Sequence, residues 1–218
     1  MLKNRIIFFV ITLFIVSCST FQNDIDEKGT NLQTSFLVGG SFGGIVENNQ
    51  LTEVDGTTSV DAISGATRKA VTLGVHTQFN ISGHNIETGL EWLNFDQSII
   101  YNLPTYFYYS RRDISFHQLR IPLVYNFELI KDRKLSLKIG ASIGYTISKS
   151  IINSGTLPPY QFNDFDYGGT VGISYFPLKY VGIFCDIYRG SQIYRDTFHT
   201  AKGMGGQSYV KFGLIIRP

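Results

Sequence analysis

Residues 134–148 read KLSLKIGASIGYTIS, and in this run apolar side chains alternate with small or polar ones. The apolar set comprises Leu135, Leu137, Ile139, Ala141, Ile143, Tyr145 and Ile147, and the set between them comprises Ser136, Lys138, Gly140, Ser142, Gly144 and Thr146. Successive side chains of a β-strand point to opposite faces of the sheet. The run therefore predicts a strand with one apolar face and one small, polar face.

The same alternation recurs along the chain after residue 34, and no long segment there has the period of a helix. We predict eight strands, at residues 35–46, 68–79, 84–95, 114–127, 134–148, 167–176, 179–189 and 208–217. Most of them reach the roughly 9–11 residues that a tilted strand needs to cross the hydrocarbon layer of a membrane. The predicted fold class is all-β.

The chemistry of the two faces indicates a membrane protein. In the third predicted strand Ile86, Leu90 and Trp92 share one face, and Glu87, Gly89 and Glu91 share the other. An apolar outside combined with a polar inside is typical of a transmembrane β-barrel.

The lengths of the connections predict how the strands are joined. The links at 80–83, 128–133 and 177–178 are short, whereas those at 47–67, 96–113, 149–166 and 190–207 exceed the usual connection length. Short and long links alternate strictly, as do the periplasmic turns and outer loops of transmembrane barrels. The sequence therefore predicts an eight-stranded antiparallel transmembrane β-barrel in the outer membrane of a Gram-negative bacterium.

Aromatic residues cluster at both ends of the predicted strands, where a barrel meets the two membrane interfaces. We expect one belt to contain Phe79, Tyr125, Phe127, Tyr175, Phe176 and Tyr180, and the other to contain Trp92, Phe95, Tyr145, Tyr167, Tyr188 and Tyr209. The alternative is that aromatic residues are simply common in strands.

The N-terminal segment predicts export. A charged start and a short apolar run indicate a signal peptide at residues 1–17. Ile15-Val16-Ser17-Cys18 resembles a lipobox, in which Cys18 becomes the lipidated first residue; the alternative is an ordinary signal peptide cut near residues 17–19. We expect a periplasmic linker at residues 18–33 and the barrel at 34–218. Because Cys185 is predicted to face outward in mid-strand, no structural disulfide is expected.

One predicted strand carries a family resemblance. Residues 118–127, QLRIPLVYNF, resemble the L-x-IPL-x-x-Y-x-F strand of PorT-like outer-membrane β-barrels, and residues 89–93 and 138–145 resemble other strands of that family. The resemblance spans residues 34–218 and implies a small barrel, with a role beside a secretion apparatus as one option. Barrels of this kind usually end in an aromatic residue, whereas this chain ends in Arg217-Pro218, so we expect Phe212 and Leu214 to serve as the assembly signal.

Catalytic, cofactor and metal sites are not indicated. His76, His84, His117 and His199 lack the spacing of metal ligands. The glycine-rich residues 39–44 lack the Lys-Ser/Thr and the helix of a phosphate-binding loop. The net charge is +2, and charged residues make up only 17% of the chain, which does not favour nucleic-acid binding.

Several charged residues are predicted to face the barrel interior, which is the lumen. They are Glu87, Glu91, Arg120, Lys138, Asp186, Lys211 and Arg217. Unpaired charges there would cost several kcal/mol each, so we expect a paired network in which Arg120 contacts Glu87 or Glu91. The alternative is a charged constriction that selects ions or ligands. An eight-stranded barrel is just wide enough to be filled by side chains, which favours the structural role.

One predicted loop is a candidate for recognition. It carries Tyr101, Tyr106, Phe107, Tyr108, Tyr109, Arg111 and Arg112, and clustered aromatic and arginine side chains suit binding to a glycan, a lipid headgroup or a protein. The alternative is that these rings extend the aromatic belt and the hairpin.

The sequence favours a non-enzymatic, monomeric outer-membrane barrel with a structural or loop-mediated binding role. Its expected partners are outer-membrane lipids and an extracellular protein or glycan, with no nucleic acid and no cofactor. Two alternatives remain open: a porin-like transporter of a small solute or hydrophobic ligand, and a membrane lipid-modifying enzyme that uses His76 with a serine.

Overall fold

The computed structural model describes residues 31–47, 51–54, 58–64, 69–81, 84–103, 108–130, 135–154, 160–196 and 204–218. Within these ranges the strands are β1 (Asn31–Glu47), β2 (Leu51–Val54), β3 (Thr58–Ser64), β4 (Lys69–Ile81), β5 (His84–Leu103), β6 (Tyr108–Ile130), β7 (Leu135–Ser154), β8 (Tyr160–Phe162), β9 (Phe165–Tyr175), β10 (Val181–Asp196) and β11 (Met204–Ile216). No helix in the described part of the chain is long and apolar enough to cross a bilayer.

Eight of these strands close into a ring of antiparallel pairs. The order around the ring is β1, β4, β5, β6, β7, β9, β10 and β11, and β11 pairs again with β1. At the closure Phe36 of β1 is paired with Val75 of β4 on one side and with Ile216 of β11 on the other. Because every ring strand has two neighbours, the ring leaves no open edge. The predicted eight-stranded antiparallel barrel is confirmed.

Each predicted strand coincides with one strand of the ring, and the short links lie where they were expected. The end of the barrel that carries residues 82–83, 131–134 and 176–180 is called the short-turn end below, and the opposite end is called the long-loop end. We infer from the predicted export route that the short-turn end faces the periplasm.

The long connections contain more strand than the sequence predicted. Strand β5 continues to Leu103 and β6 begins at Tyr108, so most of the predicted loop at 96–113 is a hairpin. Strands β2, β3 and β8 also lie in predicted loops; β3 pairs with β5, β2 with β3, and β8 with β10. Backbone pairing continues here beyond the part of the barrel whose outer face is apolar, so the lipid-facing alternation gave no signal for it.

The outer face of the ring is apolar, as the alternation predicted. Large exposed side chains on it include Leu73, Leu90, Ile121, Leu123, Ile143, Val171, Ile183 and Leu214, and Leu123 is 61% exposed. An apolar surface of this extent is unfavourable in water and matches a lipid environment.

The predicted aromatic belts need one correction. Phe127, Tyr145, Tyr167, Tyr175 and Tyr180 are exposed on the outer face. Phe95, Phe176, Tyr188 and Tyr209 are buried inside the barrel instead. Phe95 is an even number of residues from Glu91 along β5, so it shares the inward face with that glutamate.

Strand β1 bends inward near the long-loop end. Gly43 and Gly44 have φ angles of 124° and 148°, a conformation that glycine adopts easily and other residues rarely do. Ile45 follows the bend and is fully buried. The Ile45 backbone N–H donates to Gln97 Oε1 at 2.7 Å, and Gln97 Nε2 donates to the Ile45 carbonyl oxygen at 2.6 Å. The Gln97 side chain of β5 thus holds the part of β1 that follows Gly40, which is the last β1 residue paired with β4.

Candidate functional site

The lumen is filled by successive layers of side chains, and it begins at the short-turn end with an apolar layer. Leu37, Phe176, Phe184 and Ile215 form a buried cluster there. The Arg217 guanidinium carbon lies 3.4 Å from the centroid of the Phe176 ring, so this predicted lumen charge sits at the end of the barrel as a cation–π partner.

A layer of ion pairs centred on Glu87 follows toward the middle of the barrel. Lys138 Nζ donates to both carboxylate oxygens of Glu87, at 2.9 and 3.0 Å. Asn126 Nδ2 donates to Glu87 Oε2 at 3.0 Å, and His76 Nδ1 lies 2.6 Å from Glu87 Oε1. All four side chains are buried, so this carboxylate is both paired and hydrogen-bonded.

A second group of ion pairs is centred on Glu91. Lys211 Nζ donates to Glu91 Oε1 at 2.6 Å and lies 3.5 Å from Asp186 Oδ2. His76 Nε2 is 3.0 Å from Glu91 Oε1, so the imidazole stands between the two glutamates. His76 was not among the sequence-predicted members of the charge network, although its place on the inward face of β4 was readable from the alternation.

Arg120 occupies the next layer, with a partner that the sequence did not predict. It lies 2.5 Å from Asp166 Oδ2, and it also donates to Gln118, Gln207 and Ser142. The expected pairing of Arg120 with Glu87 or Glu91 is therefore replaced by a pairing with Asp166. Asp166 lies just before the predicted start of its strand, so sequence reasoning counted it as part of a loop.

Tyr188 and Ser191 complete the surroundings of Asp166. The Tyr188 hydroxyl donates to Asp166 Oδ2 at 2.8 Å, and the Ser191 backbone N–H and hydroxyl each donate to Asp166 Oδ1 at 3.0 Å. The Arg120 guanidinium carbon lies 3.9 Å from the Tyr188 ring centroid. Because both charges are almost fully buried, these bonds compensate for the loss of hydration.

An aromatic and aliphatic cluster fills the lumen at the long-loop end. Its fully or almost fully buried members are Ile45, Leu93, Phe95, Ile99, Ile114, Phe116, Tyr188, Ile193, Tyr194 and Tyr209. Phe95 packs against Phe116 with ring centroids 5.3 Å apart and against Tyr209 at 5.1 Å. Alternation alone could not find this layer, because its apolar side chains occupy the face that is polar elsewhere.

A small cavity lies among the charged layers. His76, Glu87, Glu91, Arg120, Pro122, Val124, Lys138, Ser142, Thr170, Asp186, Tyr188, Tyr209 and Lys211 line it. Its volume is about 10 Å³, which is just enough for one water molecule. A cavity of this size has no room for a solute. The apolar layer lies on one side of it and the aromatic cluster on the other.

The candidate recognition residues fall into two groups. The side chains of Tyr101, Tyr106, Phe107, Tyr108 and Tyr109 lie outside the described residues. Arg111 is exposed and forms an ion pair with Asp113 at 2.7 Å, whereas Arg112 is fully buried and donates to Tyr194 and Asn153. Arg112 therefore packs within the hairpin base instead of facing a partner.

Asp113 belongs to the water-facing base of the same hairpin. Partial burial of its carboxylate opposes ionisation, but hydrogen bonds from Ser98 and Arg111, together with the Arg111 charge, keep the pKa of Asp113 below its ordinary value. An ionised Asp113 thus joins β5 to β6.

Other predicted features can be placed as follows. Cys18, the signal peptide and residues 18–30 of the linker lie outside the described residues. Cys185 is half-buried and free. Among the residues that the structure describes, no group of three or more His, Cys, Asp or Glu side chains is placed to hold a metal ion.

Solved structures that are similar to this chain include the following three proteins. OprG of Pseudomonas aeruginosa, an outer-membrane protein, superposes with a TM-score of 0.52 at 10% identity, covering 88% of this chain and 99% of OprG. The outer-membrane protein AlkL, determined in DMPC bilayers, has a TM-score of 0.47 at 12% identity, covering 90% of this chain and 95% of AlkL. The attachment invasion locus protein Ail of Yersinia pestis has a TM-score of 0.39 at 9% identity, covering 84% of this chain and 98% of Ail.

The sequence comparisons identify the family. No curated protein sequence is similar enough to match the chain. A family model described as "Outer membrane protein beta-barrel domain" matches residues 19–190, which is most of the chain. The chain therefore belongs to the outer membrane protein beta-barrel domain family, and it resides in the outer membrane of a Gram-negative bacterium.

Proposed function

We propose that this protein is a non-enzymatic, non-conducting barrel that acts through the surface it raises above the outer membrane. The observation that carries the proposal is the filled lumen. An apolar layer, paired charges and an aromatic cluster follow one another along the barrel, and the cavity among them has room for one water molecule. A pore or an internal active site would need more open space.

The long-loop end supports a role outside the membrane. On the outer faces of β5 and β6, the residues change from apolar to polar toward the long-loop end, at Asn94, Asp96, Ser115 and His117. The lipid-facing surface of these two strands therefore ends there. Strand β5 continues from Asp96 to Leu103, a length of about 20–25 Å at about 3.3 Å per residue. Ile99 of β5 and Ile114 of β6 belong to the buried aromatic and aliphatic cluster at the long-loop end, so this cluster supports the base of the projection.

The projecting hairpin suits recognition of a macromolecule. The residues that join β5 to β6 in the sequence, 104–107, read PTYF, and their aromatic neighbours in sequence suit contacts with a glycan or a protein. The partner in this proposal is an extracellular glycan or protein, and lipids surround the barrel. We further propose a monomer that is exported by the signal peptide at residues 1–17 and lipidated at Cys18.

We also propose that the chain is a member of the PorT-like subfamily. The strand motif at residues 118–127 supports it, and it would allow a place beside a secretion apparatus. That motif specifies a barrel wall rather than a chemistry, so the partner has to be found by experiment.

Conductance measurements test the filled lumen. The purified wild-type protein is reconstituted into planar bilayers, with a trimeric porin at the same protein-to-lipid ratio as the positive control. We expect no steady conductance steps. Large, stable, ion-selective steps would refute the proposal and favour the porin-like transporter.

Binding assays test the projecting hairpin. Tyr106 and Phe107 are both replaced by serine, and binding to a glycan array and to host extracellular-matrix proteins is compared with that of wild type. Phe198→Ser, in another long connection, is the matched control. We expect the first variant to lose binding and the control to keep it; equal binding by both would contradict recognition through this hairpin.

A further inference from the structure

The lumen cavity is bordered by buried polar atoms that have no hydrogen-bond partner. They are His76 Nε2, Glu91 Oε2, Asp186 Oδ1, the Tyr209 hydroxyl and Arg120 Nε, and all five residues line the cavity. His76 Nε2 lies 3.0 Å from Glu91 Oε1. Glu91 is 0% exposed and Arg120 is 1% exposed, so bulk water does not reach them. A buried polar atom without a partner is unfavourable, which indicates that the cavity holds a ligand that forms the missing hydrogen bonds.

The unpaired atoms require a ligand that both donates and accepts hydrogen bonds. The carboxylate oxygens of Glu91 and Asp186 only accept, and Arg120 Nε–H only donates, while the Tyr209 hydroxyl can do either. A metal ion or an ammonium ion could satisfy the carboxylates but could not accept a bond from Arg120. A halide could accept from Arg120 but would repel the carboxylates. Water has two donors and two acceptor sites and can satisfy both kinds of group.

The charges around the cavity favour a neutral ligand. Both ring nitrogens of His76 lie within 3.0 Å of a carboxylate oxygen, and a neutral ring would have to direct a lone pair at one of them. This geometry indicates that His76 is an imidazolium. The buried carboxylates Glu87, Glu91, Asp166 and Asp186 then face an equal number of positive groups, Lys138, Lys211, Arg120 and His76. An added ion would leave these charged layers with a net charge.

The size of the cavity limits the ligand further. About 10 Å³ is room for one water molecule and for no organic solute. We propose that this cavity is a binding site for one ordered water molecule, held by the unpaired atoms of Glu91, Asp186, Arg120 and Tyr209. The water completes the hydrogen bonding of the charged layers, a role separate from recognition at the long-loop end.

A crystal structure of the wild-type protein, grown with rubidium bromide as the salt, tests the proposal. Rubidium and bromide both give anomalous signals that water does not. We expect a single peak in the cavity without anomalous signal, within hydrogen-bond distance of at least three of the four atoms. An anomalous peak would show an ion, and an empty cavity would show no ligand; either result would overturn the proposal.

A pair of tyrosine variants identifies the hydroxyl that holds the water. Tyr209→Phe removes an unpaired hydroxyl at the cavity, whereas Tyr188→Phe removes a hydroxyl that already donates to Asp166. We expect the water peak to lose occupancy in Tyr209→Phe and to keep it in Tyr188→Phe. Unchanged occupancy in Tyr209→Phe would contradict the proposed water position, and the wild-type crystal decides the question if a variant does not fold.

Discussion

Lys211 of β11 and Glu91 of β5 form an ion pair across the lumen, with Nζ 2.6 Å from Oε1, although their strands are not neighbours in the ring. The two residues are 120 positions apart in the sequence. Such a pair links two strands that are three positions apart in the ring, and it exists only when both strands have the correct register.

Removal of Lys211 should destabilise the barrel strongly. In Lys211→Ala the buried Glu91 carboxylate loses its closest cation, and breaking a buried pair in this way costs about 3–5 kcal/mol. Urea unfolding in lipid vesicles, followed by the fluorescence of Trp92, measures the change. Lys149→Ala is the matched control, because its pair with Asp164 is about one-third exposed on both sides and contributes at most about 1 kcal/mol. Equal losses in both variants would contradict a buried pair.

Arg120 should be energetically coupled to Asp166 and much less to Glu87. Arg120→Ala leaves the Asp166 carboxylate buried without its cation, and we expect a loss of about 2–4 kcal/mol. Asp166→Asn in the same chain should restore part of that loss, since it removes the unpaired charge. Double-mutant cycles for Arg120 with Asp166 and for Arg120 with Glu87 provide the comparison. A larger coupling to Glu87 would show that the side-chain pairing described here is wrong.

Gly43 should be sensitive to substitution, whereas Gly169 should tolerate it. At Gly43 a methyl group would meet the Ser208 carbonyl oxygen, and the φ of 124° is unfavourable for alanine, so we expect a loss of about 1–3 kcal/mol. At Gly169 the nearest atom to an added methyl group is the Gly140 oxygen at 3.9 Å. Unfolding of Gly43→Ala and Gly169→Ala under identical conditions gives the two values. A larger loss for Gly169→Ala would argue against the bend in β1.

The proposed lipidation of Cys18 predicts a defined mature protein. Intact mass spectrometry of protein from native membranes should show Cys18 as the first residue with acyl groups attached. Cys18→Ala should abolish the modification and leave an unprocessed or differently cleaved N-terminus. A mature chain that begins after Cys18 and carries no acyl mass would exclude lipidation.

The alternation of side chains was sufficient to predict the barrel wall. Residues such as Ile139 and Ile143 must face lipid and Lys138 must not, so a period of two specifies the strands and their two faces. The strict alternation of short and long links then fixed the order of the strands around the ring.

Side-chain pairing in the lumen could not be predicted in the same way. The partner of Arg120 depends on register, on barrel shear and on the reach of each side chain, and none of these is local in sequence. Glu91 is directly opposite Arg120 in the backbone pairing of β5 and β6, yet its carboxylate bonds to Lys211. The short strands β2, β3 and β8 escaped prediction because they lie beyond the apolar outer surface, where β3 and β8 pair with extensions of β5 and β10 and β2 pairs with β3.

The two hydrogen bonds between Gln97 and Ile45 replace strand pairing on one side of β1. Above Gly40, β1 has passed the last of its paired positions on β4, and one carboxamide supplies both the donor and the acceptor that a neighbouring peptide group would supply. One rotamer change of Gln97 can break both bonds, whereas separating two paired strands requires many bonds to break together. The Ile45 amide should therefore exchange its hydrogen for deuterium sooner than the Val38 amide, and the wall should open locally here before the barrel unfolds.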